Sequence, residues 1–148
     1  MINLGIYVKD LSNTPLIHAV QSEIARAKSD KDISDASIFF DNVGPIDIKI
    51  DAGIFNSTDL WHFHGSLVTT CLETTIKALP VVNNMKLYYC FDTTSAYDVL
   101  SMLRVIIKND ISTIAFDNDS AMNFYRITGR KPIAICDKFS GVVKTIMG

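Results

Sequence analysis

Oxygen-bearing side chains recur just after apolar runs in this chain, where loops would carry chemistry: Asp10, Asp41-Asn42, Asn56, His64-Gly65-Ser66, Asp92-Thr93-Thr94 and Asp117-Asn118-Asp119-Ser120. Carboxylates gathered at one sheet edge would bind Mg²⁺ through oxygen and orient a phosphate. The same residue types cap helices and shape turns, and the pattern favours that structural reading, so no resident metal and no required cofactor are expected. His62 and His64 flank Phe63 and would share one face of a strand. Zinc needs a third protein ligand, and the remaining histidine, His18, falls on the first helix with no spacing that links it to the pair. His64, expected to end a strand at the ligand crevice, is the candidate catalytic residue, as a hydrogen-bond donor or base. Gly65 and Ser66, expected to open a helix, would offer backbone N–H groups to a phosphate or carboxylate, as would the amides after Asp119. Arg126, Arg130 and Lys131 form a basic group at the end of a later helix and suit an anion. The ligand-binding candidates are Asp10, Gly65, Ser66, Asp92, Asp117, Asp119, Ser120, Arg126 and Lys131. Gly-x-Gly-x-x-Gly, the P-loop pattern and Gly-x-Ser-x-Gly are all absent from the sequence, which removes the usual dinucleotide, nucleotide and serine-hydrolase signatures.

Seven apolar runs have the character of strands that would position these residues: 2–8, 36–40, 52–55, 60–64, 87–91, 113–116 and 133–136. Several are apolar on successive residues, as in Ser37-Ile38-Phe39-Phe40 and Leu87-Tyr88-Tyr89-Cys90-Phe91, the pattern of strands covered on both faces. Asn13-Thr14 followed by Pro15 signals the first helix, with Leu16, Val20, Ile24 and Ala27 as its inner stripe. A second helix is expected from Ser66 to Leu79, with Val68, Cys71, Leu72, Ile76 and Leu79 inward and Pro80 as its stop. A third is expected from Ser95, with Asp98 as an acidic capping partner and Ala96, Val99, Leu100, Leu103 and Ile106 inward. The fourth runs from the cap pair Asp119-Ser120 to Gly129. The loop 41–51 reads as a long turn. Strands alternating with helices predict one α/β domain over residues 1–148: three layers, a doubly wound, mostly parallel Rossmann-like sheet of about six to seven strands, with ligands beyond the strands' carboxyl ends.

The 148 residues are 48% hydrophobic and 20% charged, enough to bury a core and far from a disordered composition. A formal net charge of −2 leaves no excess of cations for a phosphate backbone, so specific nucleic-acid binding is not expected. Cys71, Cys90 and Cys136 lie in apolar surroundings without Cys-x-x-Cys spacing and read as buried free thiols. The first residues read as a strand rather than a signal peptide, and no apolar run approaches the roughly 20 residues of a membrane span. A cytoplasmic protein is therefore expected, or one in the host cytoplasm or virion if phage-encoded.

Three stretches resemble the N-terminal Rossmann-like half of the GT-B glycosyltransferases. They are Thr58-Asp59-Leu60-Trp61-His62-Phe63-His64-Gly65, Asp117-Asn118-Asp119-Ser120-Ala121 and Thr128-Gly129-Arg130-Lys131-Pro132-Ile133-Ala134-Ile135. The resemblance implies a crevice for a nucleotide sugar, a nucleotide or a sugar acceptor; no motif in the chain calls for Mg²⁺. The family's donor half, with its glutamate-rich motif, has no counterpart here: Glu23 and Glu73 are the only glutamates, and Lys9-Asp10-Leu11-Ser12-Asn13 replaces the family's glycine-rich loop. Two functions follow from this. The favoured one is a non-catalytic or partner-dependent binding or assembly protein, such as a phage structural component, with a protein partner or further copies of itself. The alternative is a minimal glycosyltransferase-like enzyme.

Overall fold

The computed structural model describes residues 1–81 and 83–148. Among the described residues seven strands form one wholly parallel sheet in the order β3-β2-β1-β4-β5-β6-β7. They are β1 (Ile2–Leu11), β2 (Ile33–Val43), β3 (Gly53–Asn56), β4 (Gly65–Thr69), β5 (Met85–Phe91), β6 (Ser112–Ala115) and β7 (Ala134–Ile135). The helices are α1 (Pro15–Ser29), α2 (Leu72–Ala78), α3 (Val99–Met102), α4 (Asn118–Thr128) and α5 (Val142–Met147). Alternation along the strands sends Leu4, Ile6, Ile38, Val68, Tyr88, Cys90 and Ile114 to a face covered by α1 and α5. It sends Tyr7, Phe39, Leu67, Tyr89 and Phe91 to the other face, covered by α2, α3 and α4. The expected three-layer, doubly wound α/β fold is what forms.

The first helix begins as its sequence directs. Thr14 Oγ1 accepts the Ile17 N–H at 3.3 Å, Pro15 occupies the first turn, and Ile17, Val20, Ile24 and Ala27 are buried. Each of the larger three contributes roughly 1.5–3 kcal/mol by leaving water. The connection from β2 to β3 has no helix: Ile46, Ile48 and Ile50 pack against the α1 face in its place. The fourth helix ends at Gly129 in the left-handed region, φ 71°, as expected, although its cap is Asp117, which accepts the Ser120 N–H at 2.7 Å.

Three of the expected elements differ in kind or extent. Residues 57–62 are a 3-10 turn capped by Asn56, not part of a strand over 60–64. The second helix does not begin at Ser66: residues 65–69 are β4, sandwiched between β1 and β5, and the helix starts only at Leu72. Gly65 explains the confusion, because it looks like a helix opening. It has φ 142°, and a Cβ there would strike the Asn3 carbonyl oxygen, so its role is to let β4 lie close against β1. The third helix is a single turn started by Asp98, which then widens into a π-helical turn over Leu103–Ile107. That shift of phase buries Met102 and Ile106 and leaves Val99 and Leu100 exposed.

Candidate ligand crevice

β1 and β4 are paired only as far as Tyr7 and Thr69. Beyond that point β1 stays with β2 through Leu11 and Val43, while the chain from β4 turns away into α2. The two strands hand the chain to opposite faces, so this fork is the topological switch point, where doubly wound sheets open a crevice. Thr70 pins it, donating both its N–H (3.3 Å) and its hydroxyl (3.1 Å) to the Tyr7 carbonyl. Two adjoining cavities of about 460 and 390 Å³ fill the fork and share Thr14, Leu16, Thr70 and Ser95 as walls.

The apolar lining comes from Pro15, Leu16, Ala19 and Phe116. The polar lining comes from Thr70, Thr94 and Ser95 with Asp10 and Asp92. Asp10 accepts a hydrogen bond from the Asn42 amide at 3.1 Å, and Asp92 closes a turn by accepting the Thr94 N–H (3.0 Å) and hydroxyl (2.7 Å). Lys138 lines the same cavity and makes no ion pair among the described residues. Its backbone is left-handed (φ 48°), as is that of Phe139 (φ 70°), whose ring is fully buried. A left-handed non-glycine residue costs roughly 1–2 kcal/mol, so packing of Phe139 holds Lys138 at the cavity wall against a local preference.

An ionic chain leads away from Lys9 and Glu73 in the wall of the smaller cavity. Lys9 pairs with Glu73 at 2.9 Å, and Lys77 lies 3.4 Å from Glu73 and 2.8 Å from Asp41, which accepts the Tyr7 hydroxyl at 2.6 Å. Burial opposes the charge on Asp41, but hydrogen bonds from Lys77 and Tyr7 outweigh it and hold the carboxyl below its usual range. Burial, and then the bond to Asp41, push the Tyr7 phenol up to about 12. Burial also raises the Cys90 thiol, whose residue lines the larger cavity, so it stays protonated and inert.

The nominated residues separate into groups. Asp10 lines the smaller of the two adjoining cavities and Asp92 the larger. Asp117, Asp119 and Arg126 line a separate hollow of about 450 Å³ with Thr93 and Asn123, and Ser120 is buried beside it, accepting both the N–H and the hydroxyl of Thr93. Lys131 lies further out, with Arg126, in a groove between α4 and β7. His64, Gly65 and Ser66 correct the expectation: they sit at the amino end of β4, Ser66 opposite Leu4, and the His64 carbonyl accepts the Asn3 amide at 2.6 Å. A five-residue strand spans roughly 16 Å, which separates His64 from the crevice. Among the described residues no three of His, Cys, Asp and Glu converge on a metal-sized site, and no helix is long and apolar enough to cross a membrane.

Thr70, Cys71, Ser95 and Lys138 escaped the sequence reading. Thr70 and Cys71 were hidden by the misplaced second helix; Cys71 caps α2 and is half-buried rather than buried. No local signal marks Lys138. No family model, curated protein or solved structure matches the chain. The strand order itself is shared by folds of many functions and singles out none.

Proposed function

We propose that this chain is a non-catalytic or partner-dependent binding and assembly protein whose switch-point crevice takes a small anionic, hydroxyl-bearing ligand of the nucleotide or sugar-phosphate class. The observation that carries the reading is the fork at Tyr7 and Thr69, with its two adjoining cavities walled by apolar, hydroxyl and carboxylate groups and by Lys138, which makes no ion pair among the described residues. Apolar Leu16, Ala19 and Phe116 suit a flat ring. Asp10 and Asp92 would accept sugar hydroxyls, and Lys138 would meet a phosphate. The resemblance to the acceptor half of GT-B glycosyltransferases supports the same ligand class.

The test is a melting-temperature series with inorganic phosphate, nucleoside mono- and diphosphates and nucleotide sugars, each with and without Mg²⁺. A ligand at a hundred times its dissociation constant adds about 2.7 kcal/mol of stability. The shift should vanish in Lys138→Glu and persist in His64→Ala. Absence of any shift across the panel overturns the ligand reading. Transfer from, or hydrolysis of, a nucleotide sugar by the isolated chain overturns its non-catalytic part and leaves the glycosyltransferase-like alternative.

A further inference from the structure

The two edges of the sheet carry complementary surfaces on the same face. At the β7 edge, a groove of about 700 Å³ lies between α4 and the strand, walled by Met122, Tyr125, Pro132 and Ile135 and bordered by Arg126 and Lys131. Ile135 is 49% and Tyr125 52% exposed. Neither Arg126 nor Lys131 makes an ion pair among the described residues, whereas neighbouring Arg130 is held by Asp110 at 2.7 Å. At the β3 edge, a second groove is walled by Phe39, Phe55 and Phe63 and bordered by Asp35 and Asp59, with Trp61 53% exposed on the adjoining 3-10 turn. Asp35 and Asp59 likewise make no ion pair among the described residues.

We infer that copies of this chain associate head to tail, the β7 edge of one against the β3 edge of the next. Both grooves lie on the face covered by α2, α3 and α4, and every strand of the sheet is parallel, so a neighbour rotated by the twist accumulated across the sheet presents its aromatic groove to the first copy's α4. Carried through the strand pairings, Lys131 falls at the level of Ser37, two residues from Asp35. β3 and β7 each pair with a single neighbour, leaving one row of backbone groups free to continue the ladder. Trp61, Tyr125 and Arg126 are the residue types that dominate association energies. An interface made of two different patches is heterologous, so it builds rings or filaments rather than closed dimers. The inference specifies the assembly half of the proposed function; the crevice series reads the ligand half alone.

The experiment is sedimentation of three forms of the full chain over a wide concentration range. The wild-type chain should grow past two copies, and salt should weaken the association. Asp35→Lys with Asp59→Lys should abolish growth, as should Arg126→Glu with Lys131→Glu. Each of those variants keeps one edge intact, and their two reversed edges complement each other, so mixing them should restore growth past twice the 16.4 kDa chain mass. A wild-type chain that stays at single-chain mass throughout overturns the inference, whatever the crevice series returns. So does association that stops at two copies, or a mixture that fails to pair.

Discussion

Replacing Glu23 by alanine tests how the carboxyl-terminal helix is held to the rest of the molecule. Glu23 lies on the inner face of α1 with its side chain 2% exposed. One carboxylate oxygen accepts the Val143 N–H (3.1 Å) and an Arg26 amino group (3.0 Å); the other accepts the Gly141 N–H and the Arg26 Nε, each at 3.2 Å. The side chain thus caps α5, whose own cap residue is a glycine without a side chain. In Glu23→Ala the Val143 amide, on a residue with no exposure, loses its partner, at about 1–3 kcal/mol. Arg26 loses a bidentate partner but keeps Asp30 and Asp32, which moderates the roughly 3–5 kcal/mol expected for breaking a buried pair. The sum is about 3–4 kcal/mol, or about 6–16 °C in melting temperature for a domain of this size. Urea unfolding should show the midpoint falling with an unchanged slope, and hydrogen exchange should show the Val143 amide losing protection. Glu23→Gln should cost about half as much, since the amide still offers one acceptor. A Glu23→Ala midpoint within about 0.5 kcal/mol of wild type would refute this account of α5.

Gly65→Ala should lower stability by at least about 2 kcal/mol in urea unfolding, because the new Cβ meets backbone in β1 and the positive φ adds strain. Tyr7 sets an alkaline limit: its folded value of about 12 lies above the unfolded 10, so its contribution is intact below pH 10 and is lost between pH 10 and 12. Tyr7→Phe should flatten that part of the stability profile measured by denaturant midpoint. Among the thiols, Cys71 should react first with a native-state alkylating reagent, and Cys90 and Cys136 only on unfolding, since burial raises both. A crevice ligand should slow the Cys71 reaction, read by mass spectrometry.

The alternation of apolar runs and helical stripes was enough to specify the parallel, doubly wound sheet, because a strand apolar on successive residues has to be covered on both faces. The cap and proline of α1 and the glycine that ends α4 were legible because those signals act within a few residues. The stretch from Leu60 to Leu72 was not. Leu-Trp-His-Phe-His suits a strand and Gly-Ser suits a helix start, yet Leu67 and Val68 are buried only because β1 and β5 flank them, and neither neighbour is near in sequence. That single shift puts His64 at the amino end of β4, far from the crevice, and leaves Thr70 and Cys71 in its place. Residue types foretold acidic and hydroxyl groups at the strand ends. Which of them share a cavity was decided by where β1 and β4 part, and Lys138 joins them through a left-handed turn that only the burial of Phe139 sustains.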